Sequence, residues 1–532
     1  MSFKENTYQQ ISFTDSFSSL TAREQKALEN SWAKLFADEI FPAIDEKRFS
    51  VLYSSKASRP NTPVNVIVGA LIIKELFDYS DDDMVENLML DFRFQYALHT
   101  TSFEEQPLSD KTLSRFRKRC YDYETLHGVD LFHDCVKDLG ASIAKLMGIN
   151  GKVRRMDSMM IESNIRKLSR MELIYTCISK LAVHIYKKDK SVLPDELLHY
   201  TDPNDFNRVI YHQRSTEAEG RMEQLLKDAD ILLSLSESEF SDSTEYELFA
   251  RCLSEQTVTE NKKRRLRTKE DGGMHSGFLQ NPSDPEATFR SKAGKEHRGY
   301  AANLEESVGK NGSVVTEYQY EQNNHSDSQF IREHLKKMER QEEKTVIVTD
   351  GAYSGTKNTQ LAADKNVELV TTDLTGKPAE DILADFKFNE EGTEILECPA
   401  GHKPKSTSYI KQSGQCTASF QRSQCDSCPY QEQCRPKKFK KVAKKRLSKT
   451  GHERAKTQRK MDSEEFKNYA RFRNGVETVP SNIRKNFHLE KLPRGKQHGK
   501  FFFGAKIAAL NFRKLFNFRK SLGRYAPNPV IA

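Results

Sequence analysis

Residues 152–163 read KVRRMDSMMIES, and at this point the pattern of the chain changes from helical to extended. Polar and apolar residues alternate as they do in a half-buried strand, and an acid, Asp157, sits in the middle. Upstream, residues 1–150 read as helical. NTPVNVIVGALIIKELFDYS (61–80) opens on the start signal Asn61-Thr62-Pro63 and carries apolar residues at helical spacing. SDDDMVENLMLDFRFQYAL (80–98) begins at Ser80 over an acidic first turn, which suits the helix dipole.

Downstream of the strand, residues 166 to about 260 read as a long helical stretch. Strand character returns in ATFRSKAGKEHRGYAANLEES (287–307) and GSVVTEYQYEQ (312–322), joined through the turn Asn311-Gly312. HSDSQFIREHLKKM (325–338) predicts a helix capped by Ser326 or Asp327. KTVIVTDGAYSG (344–355) predicts a buried strand that ends at Asp350, followed by a helix over 354–366 and the strand VELVTTD (367–373). With the helical stretch set aside, three consecutive strands are followed by helix, strand, helix, strand. That is the order of a ribonuclease H-like mixed α/β sheet. The expected organisation is a helical N-terminal domain over 1–150 and an α/β core from 151–165, 287–375 and 455–532. A helical insertion over 166–286 and a Cys-rich basic insertion over 376–454 interrupt that core.

Length and composition allow several such units. The chain has 532 residues, 36% hydrophobic and 30% charged, with a mean hydropathy of −0.73. The longest apolar run, Val66 to Ile73, falls far short of the roughly 20 residues a bilayer span needs, and residues 1–20 lack a signal-peptide pattern. A cytoplasmic, nucleoid-associated protein without a membrane partner is expected. Lys and Arg number 84 against 76 Asp and Glu, a modest excess that is clustered. NKKRRLRTK (261–269), RPKKFKKVAKKRLSK (435–449) and the stretch Arg484–Arg524 are strongly basic, which favours a polyanionic partner; the bland alternative is a solvated face. LSDKTLSRFRKRC (108–120) predicts a helix showing Arg115, Arg117, Lys118 and Arg119, the basic second helix of a helix-turn-helix DNA reader.

Five of nine cysteines crowd into residues 398–434. Cys425-Asp426-Ser427-Cys428 is a CxxC, with Cys434 downstream and Cys398 upstream, and together they predict a four-thiolate structural Zn²⁺ site. Cys416 and His402 are substitutes for the fourth ligand, and unliganded reduced thiols are the alternative.

Cleaving or exchanging a phosphodiester requires a deprotonated oxygen nucleophile and a neutralised leaving oxygen. Two Mg²⁺ ions held by carboxylates supply both. Asp157 and Asp350 fall on strands expected to be neighbours. MDSMMIESNI (156–165), VIVTDGAYSG (346–355) and YARFRNGVETVPSNIR (469–484) resemble the three catalytic blocks of DDE transposases from bacterial insertion sequences. PVNVIVGALIIKEL, SDKTLSRFRKR and KIAALNFRKLF are similar to that class as well. The resemblance implies Asp157, Asp350 and Glu477 as ligands of two Mg²⁺ (or Mn²⁺) ions, with Tyr469, Arg473 and Arg484 contacting phosphates near the cut. This sequence has one residue more than the family pattern between Tyr469 and Arg473, and Pro480 inside the block would remove a backbone hydrogen bond and kink the helix after Glu477. At 100° per residue, Tyr469, Arg473, Glu477 and Arg484 would share one sector of a single helix. The resemblance further implies terminal inverted repeats and target DNA as partners, cleavage and strand transfer as the reaction, and a homodimer at synapsis. A ribonuclease H-fold nuclease without strand transfer and a decayed, DNA-binding repressor are the rival readings.

Overall fold

A computed structural model describes residues 1–6, 16–56, 58–211, 217–261, 263–292, 294–372, 378–475, 478–489 and 492–522. At its centre lies a mixed six-stranded sheet: β1 (Val153–Glu162), β2 (Thr288–Lys292), β3 (Lys295–Gly309), β4 (Gly312–Gln322), β5 (Thr345–Thr349) and β6 (Val367–Thr371). The spatial order is β4–β3–β1–β5–β6, with β2 on the same edge of β3 as β4. β3 pairs antiparallel with β1 and β4, whereas β1–β5 and β5–β6 are parallel. The ribonuclease H-like α/β order expected from the sequence is present.

Helices cover both faces. On one face α4 (Asp327–Lys337) and α5 (Thr356–Asp364) bury Phe330, Ile331, Leu335 and Ala362 against Met156, Met160 and Ile347. On the other, the buried residues Met159, Ile161, Leu304 and Tyr320 join the N-terminal helices and the C-terminal helix in one continuous core. That core includes Trp32 and residues of α1 (Val64–Phe77), α2 (Asp110–His127), α3 (Leu131–Leu146) and α8 (Lys496–Ser521). Helix α1 is apolar on all sides because it is enclosed on all sides: every residue from Val64 to Leu76 is buried. Residues 98–109 separate the short helix Phe92–Ala97 from α2, which is far longer than the three- or four-residue turn of a helix-turn-helix, so that expectation is not met.

The stretch after β1 packs its own core from the helices Arg170–Lys188, Ala218–Ser236 and Thr244–Gln256. It also holds a hairpin, Thr257–Glu260 with Lys263–Leu266, where the sequence reads as the end of a helical stretch and a basic run. Between β6 and the last helices lies a second sheet of β7 (Ser406–Ile410), β8 (Gln415–Gln421), β9 (Lys437–Lys438) and β10 (Val442–Ser448), in the order β7–β8–β10–β9.

Candidate active site

The parallel register of β1 and β5 sets Arg155 beside Val348. Continued two residues, it brings Asp157 level with Asp350, at the point where β5 ends. Asp350 then caps the short turn Gly351–Tyr353, accepting a 2.9 Å hydrogen bond from the Ala352 amide. Beneath the pair, fully buried Tyr353 donates to Asn303 at 2.7 Å and is held by Asn358, which donates to its carbonyl at 3.0 Å. The two acids therefore stand on a rigid floor where β5 ends and its parallel pairing with β1 stops, the side of an open α/β sheet on which ligands are placed.

Electrostatically the pair is frustrated without a cation. Burial pushes the Asp157 carboxyl up to about 6, and the neighbouring charge of Asp350 adds to that rise. Arg473, the Ser158 amide and Lys292 oppose it. Lys292 comes from the hairpin β2–β3, which presses against the end of β1 at Gly299. There φ is 148°, and a Cβ would stand 2.4 Å from the Ile161 carbonyl oxygen, so a residue without a side chain is required. Arg473 lies on α6 (Glu464–Asn474) and reaches Asp350 at 3.7 Å; its buried Nε has no partner among the described residues.

What holds α6 in place is Arg155, a residue that the motif reading passed over. It lies on the same face of β1 as Asp157, one alternation earlier. Its Nε donates to Glu306 at 2.7 Å, one terminal nitrogen donates to the Phe472 carbonyl at 3.1 Å, and the guanidinium lies over the Phe472 ring at 5.7 Å. Glu306 is fully buried and is also met by Lys514 of α8 at 2.5 Å. Burial would raise the Glu306 pKa, but Lys514 and Arg155 hold it below the usual carboxylate range. A cation bound to the last carbonyls of α6 also complements the negative end of the helix dipole. Gly475 then passes so close to Arg155 that a Cβ would lie 2.1 Å from its guanidinium. Two signals could have revealed this network. One is a pair of consecutive arginines near the start of a half-buried strand; the other is the pair Glu305-Glu306 in the middle of β3, since buried charges need partners. The alternation explains both pairs, because Arg154 meets buried Glu305 at 3.1 Å and Arg155 meets Glu306.

Other predicted residues fall as follows. Glu477 lies outside the described residues, as does Asp373, the acid that closes VELVTTD and the nearest rival carboxylate in the sequence beside Glu162. Tyr469 packs with Val346, Phe466 and Val370, near Lys344 and Glu368 at the start of β5 and β6, and so away from the Asp350 end. The block from 469 to 484 is not one helix. Helix α6 stops at Asn474 and a second helix, α7 (Thr478–Asn486), begins with Pro480 in its first turn, where a missing amide breaks no helical bond. The single-helix sector expected for these four side chains is therefore incorrect. Arg484, on α7, is exposed and donates to the Met160 carbonyl of β1 at 3.2 Å. Glu162 is engaged by His297 at 2.6 Å and the Arg298 amide at 3.1 Å.

On α2, Arg117 is withdrawn from solvent: it pairs with Asp81 and lies over Phe502 at 5.1 Å. A DNA-facing role for Arg117 does not fit, since its charge is already compensated inside the helical core. Arg119 lies over Tyr53 at 4.7 Å, Lys118 pairs with Asp122 at 2.9 Å, and Arg115 is exposed.

Cys398, Cys425, Cys428 and Cys434 line one small cavity with His402. Burial raises the thiol pKa of Cys425, and that of Cys434 to about 11, with the neighbouring thiols adding to each. Cys416 is not among them; it is buried in the sheet and donates to the Gly392 carbonyl. Among the described residues, no three His, Cys, Asp or Glu side chains are already disposed to hold a metal ion. The donor types nevertheless fit the metals expected of them: paired carboxylates suit a hard divalent cation, and clustered thiols suit zinc.

Two family matches accompany this geometry. Residues 397–516 match a family described as Transposase DDE domain, and residues 23–119 match one described as Transposase domain (DUF772). The first span contains Arg473 and Glu477, and neither span reaches Asp157 or Asp350. No curated protein and no solved structure matches the chain. Among the described residues no helix is long and apolar enough to cross a membrane.

Proposed function

We propose that this chain is a DDE-type transposase of an insertion sequence, a reading the two transposase-domain matches support, and that it binds the terminal inverted repeats of its element, cuts the DNA there and joins the freed 3′ hydroxyls to target DNA. Asp157 and Asp350, with Glu477 as the third acid, would hold two Mg²⁺ ions, for which Mn²⁺ can substitute. Bound there, such ions supply an activated oxygen nucleophile and neutralise charge on the leaving oxygen. The observation that carries the proposal is the register of β1 and β5, which brings two half-buried carboxylates level where β5 ends.

The protein's own groups position the substrate. Arg473, within reach of Asp350 and with an unpartnered buried Nε, offers donors to a phosphodiester entering the pair. Arg155, Glu306 and Lys514 fix the end of α6 that carries Arg473. The chain leaving that helix passes Arg155 at Gly475, two residues before Glu477, which supports Glu477 as the third acid. Joining two element ends requires two active sites, hence a homodimer at synapsis.

Asp157→Asn, Asp350→Asn and Glu477→Gln are each expected to lower metal-dependent cleavage of a duplex carrying an element end by about 10³-fold or more, with binding to that end retained. Strand transfer into a second duplex separates this reading from a simple nuclease. Wild-type protein that binds ends without cutting them would instead favour a repressor.

The same reading supports a structural zinc at Cys398, Cys425, Cys428 and Cys434. One zinc per chain is expected by elemental analysis, falling well below one in Cys425→Ser. A metal-free wild type of unchanged stability would leave these residues as plain thiols.

A further inference from the structure

We propose that the outer face of the sheet β7–β10 is a DNA-contacting surface that grips the phosphate backbone of duplex DNA. The inference rests on the transposase reading above and adds to it a place where the charge of the protein meets that of its substrate.

Charge distribution gives the first argument. Residues 398–448 hold twelve Lys and Arg against two acids, Asp426 and Glu432. The rest of the chain is left with 72 basic and 74 acidic residues, from totals of 84 and 76. The whole positive excess of the protein therefore lies in this one segment, and a substrate carrying one charge per roughly 1.7 Å of duplex selects for such a surface.

Register gives the second. Antiparallel pairing aligns Ser406, Ser419, Lys444 and Lys437 in one cross-strand row, and Ser408, Thr417 and Arg446 in the next. The alternate residues Cys416, Ala418, Phe420, Ala443 and Leu447 are buried, so these rows form the opposite, outward face. The four strands contain no Asp or Glu. Lys437 stands directly opposite Lys444, an arrangement of like charges that disfavours the sheet unless an anion lies across them. Both lysines also lean over the exposed ring of Phe439, at 5.7 and 5.4 Å, and Lys440 and Lys441 extend the patch at the turn into β10. Hydroxyls and cations in rows, with no acid, suit phosphate oxygens and carry no means of reading bases.

The third argument is the fate of the other basic runs. In 261–269, Arg264 pairs with Asp230, Arg265 with Glu260 and Asp271, and Arg267 donates to backbone carbonyls. In α8, Lys500, Lys506 and Lys514 all meet carboxylates. Lys437, Lys440, Lys441, Lys444 and Arg446 have no acidic partner among the described residues; the nearby acids Asp426 and Glu380 are taken by Lys438 and Lys445.

The test uses the full chain carrying Lys437→Gln, Lys444→Gln and Arg446→Gln, titrated with a duplex of arbitrary sequence at several salt concentrations. The slope of log affinity against log salt should fall by roughly 2 to 3, since each lost phosphate contact removes about 0.9. The charge-keeping variant Lys437→Arg, Lys444→Arg, Arg446→Lys should retain the parental slope, which guards against misfolding as the cause. A neutral variant with the parental slope overturns the proposal and leaves the transposase reading intact. A variant that loses single-stranded RNA while keeping the duplex likewise overturns it. A wild type that binds no duplex at any salt overturns both readings.

Discussion

In α8, Lys500 meets Glu124 and Asp130, Lys506 meets Glu75, and Lys514 meets Glu306, each at 2.5–2.9 Å and each at least four-fifths buried. In β10, Lys444 and Arg446 face solvent beside Lys437 with no acid in the sheet. The two stretches are similarly basic when read as sequence. They differ because α8 crosses the centre of the molecule between the sheet and the N-terminal helices, where a lone ammonium would be prohibitively desolvated. There the lysines fix how the terminal helix docks against β3, α1 and α2. On the outer sheet face water screens the charges, so no acid is required and the field is left for a ligand. A basic run is thus a nucleic-acid surface only where the fold withholds its counterions.

Breaking an internal partner should have the largest effect. Glu306→Ala leaves Arg155 and Lys514 without their shared carboxylate and is expected to cost about 3–5 kcal/mol of unfolding free energy in a denaturant titration. It should also reduce strand transfer by loosening α6. A loss below about 1 kcal/mol would mean that the triad does not anchor that helix.

A smaller effect should come from pH. His133 on α3 meets Glu317 on β4 at 2.7 Å; burial would lower its pKa, but the hydrogen bonds it donates to Asp134 and Glu317 outweigh that and raise it to about 9. Despite burial, His133 and Lys137 hold Glu317 down at about 2. The raised histidine contributes stability fully below its unfolded pKa of about 6.5, and that contribution is lost as pH rises through 9. The depressed carboxylate contributes above about 4.5 and loses its share as pH falls toward 2. Stability from this pair should therefore be greatest between about pH 4.5 and 6.5. In His133→Gln the difference from wild type should shrink as pH climbs past 9; a constant difference would remove the ion pair from the explanation.

The smallest effect should come from the outer sheet. Lys444→Ala is expected to change stability by no more than about 0.5–1 kcal/mol, and in the stabilising direction, because it relieves the repulsion from Lys437. A clear destabilisation would show that Lys444 has an internal role like that of the α8 lysines and would erase the contrast.

The sheet order was legible because each strand carries its own periodicity and Asn311-Gly312 marks the first hairpin turn. The carboxylate pair was legible because Asp157 and Asp350 sit at the middle of one strand and the end of another, on strands that this order makes neighbours. The 469–484 block reads in the sequence as one helix kinked by Pro480, since a 100° sector fits four residues whether or not the backbone between them is helical; in the structure Pro480 lies in the first turn of a second helix. The hairpin at 257–266 was missed because its strands are short and polar, and its pairing depends on Arg264 and Arg265 finding acids elsewhere.

The sequence by itself determined the order of the strands in the central sheet and the level placement of two aspartates, because these depend on local pattern and on residue identity. Only the tertiary structure decided which cations are neutralised, that Arg155 holds the end of α6, and that Arg117 is enclosed while Arg446 is open. The reason is that a charge takes its free energy from its distance to other charges and to water, and neither distance is encoded near it in the chain.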